Sequence, residues 1–295
     1  MTDPAASLLL INPHSRRGRR QRAEALAHLT RLGLRVVLPD SHGEFDPDCL
    51  IRRYADQVDR VIIGGGDGSL NQAAAALLET GLPLGILPLG TANDLARTLG
   101  LPLALSQACQ VIAQGRVTAV DLGQVNHRYF FNVASLGLSV RVTAHLRPDS
   151  KRRWGVFSYA IAALKAILRL RRMHATIRIG AEVRQVRTLQ IAVGNGRFYG
   201  GGLAIAHDAR IDDGRLDLYS LEVRRHRDLL WLLPGLLQGR LPPCFTARCG
   251  PDDTIEILTR RPHRISCDGE ILSCTPACFR VLPGAIRVYV PGTRG

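Results

Sequence analysis

The sequence predicts an α/β plus β fold, with an N-terminal three-layer α/β domain followed by a β-sandwich-like domain. Three observations predict it. Short apolar runs alternate with helical patterns up to about residue 121, strand-like runs then follow one another with few helices between them, and a glycine-rich loop follows a buried strand. Alternating strands and helices are typical of a parallel sheet covered by helices, whereas successive strands favour a sandwich.

The first part of the chain alternates predicted strands with predicted helices. The strands are Leu8 to Ile11, Leu34 to Leu38, Val61 to Ile63 and Leu84 to Leu87; one helix follows Arg19, and others cover Pro47 to Val58 and Leu70 to Glu79. Because these strands are apolar on both faces, they fit the interior of a parallel sheet. Ligands bind at the carboxyl ends of such strands. The sequence places three loops there: Asn12 to Ser15, Gly64 to Ser69, and Leu89 to Asp94.

The second part of the chain, after Asp121, is mostly strand-like. The predicted strands are Arg128 to Val133, Thr176 to Ile179, Leu189 to Val193, Leu216 to Leu221, Thr254 to Leu258 and Ile286 to Val290, with helical patterns near 154–172 and 227–239. Several short strands without intervening helices favour a sandwich. We therefore assign residues 1–122 to the α/β domain and 123–283 to the sandwich, with 284–295 as a candidate to rejoin the first domain.

Composition narrows the classes of partner. The chain has 295 residues, 46% of them hydrophobic, which suits roughly two folded domains. A net charge of +14 favours anionic partners such as phosphates, acidic lipid headgroups or nucleic acid. Aromatic residues make up only 5% and do not recur among the basic ones, so we expect no nucleic-acid partner.

The sequence also indicates a cytoplasmic protein that is not integral to a membrane. Residues 1–4 carry no basic region, and the apolar run that follows is shorter than the core of a signal peptide. The longest apolar stretch is interrupted by Lys165 and Arg169, so it falls short of the roughly 18 to 20 residues that span a bilayer. The seven cysteines lack paired C-x-x-C spacing, so we expect reduced thiols with no zinc site.

The segment from Gly64 to Ser69 predicts a phosphate-binding loop. Glycines permit positive φ and let backbone N–H groups approach phosphate oxygens, and the N-terminus of the following helix adds favourable charge. The loop matches neither G-x-x-x-x-G-K-[ST] nor G-x-G-x-x-G. Asp67 would repel a phosphate unless a divalent cation lies between them, which suggests magnesium. The alternative is an aspartate that caps the following helix.

The segment Asp268-Gly269-Glu270 has two interpretations. Asp-Gly is a strong hairpin signal, here between Arg264 to Cys267 and Ile271 to Leu272, with Glu270 merely solvated. A glutamate at this position can also accept the proton of a hydroxyl during phosphoryl transfer. The residues alone favour the turn, because turn signals far outnumber catalytic ones.

Taken in order, these segments resemble the diacylglycerol-kinase catalytic superfamily, and within it the bacterial YegS-like lipid kinases. The matching segments span essentially the whole chain: Ile11-Asn12-Pro13, Gly64 to Ser69 with Asn71, Ile86 to Asp94, Asp121-Leu122-Gly123 with Phe131-Asn132, Gly194-Asn195-Gly196 with Gly200-Gly201-Gly202, Asp212 to Asp217, and Asp268 to Glu270. The resemblance implies an ATP-carrying α/β domain, a C-terminal sandwich, and an active site in the cleft between them. It also implies transfer of the ATP γ-phosphate to a lipid hydroxyl.

Carried over residue by residue, the resemblance implies three sets of site residues. The implied catalytic residues are Glu270, as the base, and Asp67. The ATP contacts are Ser41, Gly66, Asp67, Gly68, Ser69, Leu70, Asn71, Gln72 and Thr91. The metal, Mg²⁺ or Ca²⁺ in its place, falls on Arg210, Asp213 and Arg215, with the two arginines contributing backbone carbonyls.

The implied partners are ATP and a lipid presented by a membrane surface. The segment Lys151 to Arg172 has basic ends around an apolar stripe, which fits either an amphipathic helix at an anionic membrane or a helix packed on the sandwich with snorkelling arginines. Leu229 to Leu237 is a further candidate for facing lipid. Diacylglycerol, phosphatidylglycerol and long-chain bases stay open as acceptors. A soluble nicotinamide-nucleotide kinase with a similar Gly-Gly-Asp-Gly loop and a non-catalytic basic binding module are the alternative functions.

Overall fold

The computed structural model describes residues 6–11, 18–39, 45–138, 140, 172–196, 198–199, 203–204, 209–222 and 245–292. The helical patterns near 154–172 and 227–239, and the stretch 229–237, lie outside these residues apart from Arg172. Among the helices of the described ranges, none combines the length and the apolar character that crossing a membrane requires.

The first part of the chain forms a parallel sheet with helices on both faces. Its strands are β1 (Ala6–Ile11), β2 (Arg35–Val37), β3 (Arg60–Gly65) and β4 (Leu84–Pro88), and its helices are α1 (Gly18–Arg31), α2 (Pro47–Tyr54), α3 (Asp67–Thr80), α4 (Asp94–Thr98) and α5 (Leu105–Gln114). The strands run parallel in the order β2-β1-β3-β4. The predicted alternation of strands and helices is confirmed, although α3 starts three residues before the predicted Leu70.

Alternate side chains of each parallel strand enter opposite cores. Leu8 and Leu10 of β1 belong to the core that contains residues of α2 and α3. Leu9 and Ile11 belong to the core that contains residues of α1 and α5. Strands β1, β3 and β4 are therefore buried over most of their length because helices cover both of their faces, which confirms the three-layer architecture.

The second part of the chain is a sandwich of two largely antiparallel layers. Its elements are β5 (Arg116–Val125), β6 (Arg128–Phe130), β7 (Val133–Gly137), β8 (Met173–Ile179), β9 (Glu182–Thr188), β10 (Gln190–Gly194), β11 (Phe198–Tyr199), β12 (Leu203–Ala204), β13 (Leu216–Leu221), β14 (Phe245–Cys249), β15 (Ile255–Thr259), β16 (Arg264–Cys267), β17 (Glu270–Cys274) and β18 (Ala277–Val290). Strands β15, β8 and β9 extend the first sheet beyond β18, and the second sheet has the order β14-β13-β10-β7-β16-β17. The core between them includes Phe130 and Phe279, whose rings meet edge to face at 6.4 Å. The predicted sandwich is confirmed.

Strand β18 connects the two parts. One edge of β18 pairs with β5 from Phe279 to Val290. The other edge pairs with β15 in its first part and lies parallel to β4 at Val288 and Leu84 in its second. The register shifts between Leu282 and Ile286, around Gly284 at φ 58°. This pairing supports the proposal that 284–295 rejoins the first domain. The boundary between residues 122 and 123 stays a prediction, and β5 runs through it.

Candidate active site

The glycine-rich loop joins β3 to α3 at the carboxyl edge of the parallel sheet. Gly66 is the N-cap of α3, and no side chain caps it. The first turn of any helix leaves N–H groups without partners inside the helix. The N–H groups of Ser69 and Leu70 donate to the Gly66 carbonyl, and among the described residues those of Asp67 and Gly68 have no protein acceptor and stay available to a ligand or solvent. The loop therefore has the backbone arrangement of a phosphate site.

Close packing, and not positive φ, explains the loop glycines. None of them has a positive φ, so the expectation that they permit left-handed backbone is wrong. A Cβ on Gly64 would lie 2.6 Å from Cγ1 of Ile11, and a Cβ on Gly65 would lie 2.6 Å from Oγ of Ser69. Any side chain at these positions would force the loop away from its neighbours.

The loop after β4 packs against the glycine loop. The N–H of Gly90 donates to the carbonyl of Gly65 at 3.1 Å, and a Cβ on Gly66 would lie 3.2 Å from Cα of Gly90. Asn93, at φ 52°, fixes this second loop because its Oδ1 accepts from the N–H of Gly90 at 2.9 Å. Thr91, predicted to contact the nucleotide, is exposed beside the contact.

The carboxylate of Asp67 caps α4. Its Oδ2 accepts from the N–H of Asp94 at 3.1 Å, and its Oδ1 accepts from the N–H of Leu95 at 3.0 Å. It thus caps a helix farther along the chain and not the helix that it starts. A carboxylate offers about four lone-pair sites, so Asp67 retains acceptor capacity toward a cation or water. In the fold it joins the glycine loop to α4.

Glu270 reaches the glycine loop from the sandwich. It follows a two-residue turn in which Asp268 and Gly269 both have positive φ, 46° and 95°, so the predicted hairpin is confirmed. The Glu270 carboxylate lies over Gly68: a Cβ on Gly68 would collide with its Oε1 and would lie 3.2 Å from its Cδ. Glu270 is half-buried and in contact with the loop, so it is not merely solvated.

A second carboxylate, Asp268, fixes the position of the hairpin. Its Oδ2 accepts from the N–H of Phe131 at 2.7 Å and from Nδ2 of Asn71 at 3.1 Å. Its Oδ1 accepts from the N–H groups of Asn132 and Val133, both at 3.0 Å. These bonds tie the hairpin to α3 and to the segment before β7, so they set where Glu270 lies relative to the loop.

Burial raises the pKa of the Asp268 carboxyl to about 6, and its four N–H donors act in the opposite direction. Because the folded pKa exceeds the ordinary value of 3.8, the folded state binds the proton more tightly. The stabilisation from this group is therefore complete below about pH 4 and is lost as the pH rises through about 6, by up to about 3 kcal/mol. We expect NMR titration of this carboxyl to give a midpoint near 6. A midpoint at or below 4 would show that the donors outweigh burial.

The other residues of α3 that are predicted to contact ATP differ in how far their side chains are exposed. The side chain of Leu70 is in the hydrophobic core, and Nδ2 of Asn71 donates to the carbonyl of Tyr129 at 2.8 Å as well as to Asp268. Gln72 is exposed and Ser69 half-buried. Three predicted elements of the site lie outside the described residues: Ser41, 12–15 and 200–202.

Asp121 holds the loop that carries the predicted metal residues. Its carboxylate is buried and accepts from the N–H of Gly214 at 2.6 Å and of Gly284 at 2.8 Å. The side-chain amide of Asn195 donates to the carbonyls of Asp121 and Phe131, both at 2.9 Å. Since the N–H of Phe131 also donates to Asp268, one polar network joins the 209–215 loop to the hairpin of Asp268 and Glu270. In the sequence, Asp121 and Asn195 stand out only as members of the matching segments, and no pattern predicts that they hold these loops together.

The donor atoms of this loop fit a hard cation. Burial raises the pKa of Asp213, and the charge of Asp217 adds to the rise, while an N–H bond from Arg215 at 3.1 Å acts against it. A cation would relieve that electrostatic cost. In the described ranges no three His, Cys, Asp or Glu side chains cluster as metal ligands, so Asp213 would need backbone carbonyls such as those of Arg210 and Arg215. An all-oxygen set of this kind suits Mg²⁺ or Ca²⁺.

Comparisons with known proteins cover both parts of the chain. Residues 6–125 match the family model described as diacylglycerol kinase catalytic domain, and residues 132–290 match the model described as YegS C-terminal NAD kinase beta sandwich-like domain. A Yersinia enterocolitica protein named "Probable lipid kinase YegS-like" is 35% identical over 252 residues, which cover 81% of this chain and 83% of the relative. A Salmonella gallinarum protein named "Probable lipid kinase YegS" is 32% identical over 311 residues, and the match covers 99% of this chain and 98% of the relative.

A solved structure shows the same fold. The crystal structure of a diacylglycerol kinase from Bacillus anthracis superposes with a TM-score of 0.77 at 21% identity and covers 98% of each chain. The two-domain arrangement described above is therefore shared with an experimentally determined structure.

Proposed function

The chain belongs to the YegS-like family of lipid kinases, and from that premise we propose that it transfers the γ-phosphate of ATP to a lipid hydroxyl with Glu270 as the general base. One observation carries the proposal: the Glu270 carboxylate of the sandwich lies over Gly68 of the glycine loop. A proton acceptor is thus held against the loop that would bind the phosphates. This contact joins the two halves of a phosphoryl-transfer site.

In the proposed reaction Glu270 removes the proton of the acceptor hydroxyl. As the hydroxyl oxygen bonds to the γ-phosphorus, the bond from that phosphorus to the β–γ bridging oxygen breaks, and ADP leaves with the electron pair. The N–H groups of Asp67 and Gly68, with the positive end of α3, orient the phosphate oxygens. Ser69, Gln72 and Thr91 lie at the solvent side of the two loops and are the side chains that we assign to the nucleotide.

We assign a divalent cation, Mg²⁺ or Ca²⁺ in its place, to Asp213 and the carbonyls of Arg210 and Arg215. Bound there, it would neutralise charge and hold the 209–215 loop, which Asp121 fixes to β5 and β18. Asp67 keeps acceptor capacity beside the phosphate site. Whether one site or both need the cation is decided by comparing Asp213→Asn and Asp67→Asn for the Mg²⁺ dependence of the rate.

Gly68→Ala is expected to reduce kcat at least tenfold, because the added methyl group occupies the space of the Glu270 carboxylate. The clashing group is the end of a flexible side chain, so the free energy of unfolding should change by less than about 1 kcal/mol. Steady-state kinetics and denaturant unfolding measure the two effects. Gly250→Ala is the matched control, because a Cβ there meets nothing within 4 Å. Unchanged kcat in the Gly68 variant would contradict the assigned position of the base.

The competing function is phosphorylation of a nicotinamide nucleotide, since the matching C-terminal model is described as NAD kinase-like in its sandwich. A thin-layer assay with ATP and either extracted lipids or NAD as the acceptor separates the two. We expect phosphate in the lipid fraction; phosphate on NAD instead would refute the lipid proposal. Purified diacylglycerol, phosphatidylglycerol and a long-chain base, tested singly, would then name the acceptor. The product would enter the lipid pool of the inner membrane face, where we propose the enzyme acts peripherally.

A further inference from the structure

A group of basic side chains lies at the end of the sandwich opposite the α/β domain. At this end β15 finishes beside the start of β8, with Thr259 paired to Ala175, and the β16–β17 hairpin opens, with Arg264 paired to Cys274. The hydroxyls of Thr259 and Thr275 meet at 2.5 Å and tie the two sheets together there. We call this end the basic pole, formed by Arg172, His174, Arg187, Arg260, Arg261 and Arg264.

Within the described ranges, the arginines of the basic pole form no ion pair with a carboxylate. No Asp or Glu occurs in the segments that build it, 172–176, 185–190, 258–266 and 272–278. Farther along the same strands, arginines do pair: Arg178 lies 3.6 Å from Glu256, and Arg184 lies 3.9 Å from Glu222. Solvated protein surfaces usually mix both signs of charge, so this end is built for an anionic partner.

The residue composition of the basic pole favours a lipid surface over a nucleic acid as its partner. The segments of the pole contain no Phe, Tyr or Trp, so they offer no platform on which bases could stack. The family, by contrast, acts on lipids, which are presented at membranes. We propose that the basic pole docks on an anionic membrane surface. This choice of partner rests on the proposed function, whereas the excess of positive charge does not.

The position of the pole suits delivery of a lipid to the catalytic hairpin. Strand β17 runs from Glu270 to Cys274, beside Arg264. Four residues of strand span roughly 13 Å, which is less than the roughly 15 Å of one hydrocarbon leaflet. Ile271 on this strand is 39% exposed and offers an apolar contact to an acyl chain. A membrane at the pole therefore lies within one lipid length of Glu270.

Vesicle binding tests the proposal. The test variant carries Arg187→Gln, Arg260→Gln and Arg261→Gln; the matched control carries Arg31→Gln, Arg178→Gln and Arg280→Gln, so both lose the same charge from exposed positions. One arginine near an anionic surface strengthens binding about fivefold. On phosphatidylcholine vesicles containing phosphatidylglycerol we expect the test variant to bind at least tenfold more weakly than the control in co-sedimentation. Equal binding by the two variants would overturn the proposal.

Two further binding experiments identify the class of partner. Vesicles of phosphatidylcholine alone should bind neither variant, and added salt should weaken wild-type binding. A DNA duplex is the competing probe. If the duplex binds more tightly than the anionic vesicles, and the test variant loses that binding, the pole is a nucleic-acid surface and the membrane proposal is wrong.

Activity in two lipid forms separates this proposal from the proposed function. With the lipid in neutral detergent micelles, the test variant should keep the kcat of the control; with the same lipid in anionic vesicles, it should lose most of the rate. Loss in micelles as well would place these arginines in catalysis or folding and contradict docking. A wild-type enzyme inactive on lipids in both forms would refute the kinase proposal, and vesicle binding alone would then decide the role of the pole.

Discussion

Glu270→Gln is expected to lower kcat roughly 100-fold to 10,000-fold while leaving the KM for ATP nearly unchanged. Glutamine keeps the size of the side chain over Gly68 but cannot accept the hydroxyl proton, and a positioned base usually contributes a factor of this size. The phosphates are assigned to backbone N–H groups of the loop, which the substitution does not touch. Initial rates with saturating lipid, measured over a range of ATP concentrations, give both constants.

Glu256→Gln is the control for Glu270→Gln. It makes the same chemical change on β15, where the glutamate is exposed and pairs with Arg178 at 3.6 Å. This control should keep the wild-type rate, because exposed ion pairs of this kind contribute little. If Glu270→Gln keeps that rate too, the assignment of the base is wrong.

Asp268→Asn is expected to reduce kcat, while the unfolding free energy at pH 7 changes by less than about 3 kcal/mol, because the cost of burying the charge is removed and the cost of an unsatisfied donor is added. Asparagine tolerates the left-handed turn at φ 46°, so the backbone is preserved. Its amide, however, supplies one oxygen and an NH₂ group to a site with four N–H donors, and at least one donor is left unsatisfied. The hairpin then loses its attachment to α3, and Glu270 moves relative to Gly68. Urea unfolding and initial rates measure the two effects.

Asn126→Gly provides a stability control for the same hairpin, because Asn126 contacts the far end of β17 from the turn between β5 and β6. Nδ2 of Asn126 donates to Oγ of Ser273 at 3.1 Å, at the end of β17 away from Glu270, and Oδ1 accepts from the N–H of Cys278 at 3.0 Å. Glycine tolerates the φ of 53° at this position. We expect lower stability with an unchanged kcat. If both variants lose stability and activity in the same proportion, Asp268 is structural and does not position the base.

The sequence was sufficient to predict the glycine loop and the hairpin before Glu270 as local structures, but not the contact between them. A buried strand followed by glycines predicts the phosphate loop, and Asp268-Gly269 predicts the turn that precedes Glu270. The meeting of Glu270 with Gly68 depends on the second sheet packing beside α3, which no local pattern encodes. The loop glycines were interpreted through φ, whereas their requirement is the close approach of Ile11, Ser69 and Glu270.

The polar residues that position the site were the least predictable. Asp67 and Asp268 accept hydrogen bonds from backbone N–H groups distant in sequence, so their partners follow only from the tertiary fold. Strand β9 was missed for another reason: three of its first five residues are charged or polar, and its first four positions are all exposed, so the pattern shows no continuous buried face. Its pairing with β8 is set by the short turn at Gly180 and not by hydropathy.

Incubation of the wild-type protein with γ-labelled ATP and a total lipid extract, with identification of the labelled product, tests whether the protein is a lipid kinase with Glu270 as its base. We expect the label to enter the organic phase as a phosphate ester of a lipid hydroxyl, and we expect Glu270→Gln but not Glu256→Gln to remove this product. Label confined to the aqueous phase, or lipid labelling that survives the loss of Glu270, would contradict this assignment.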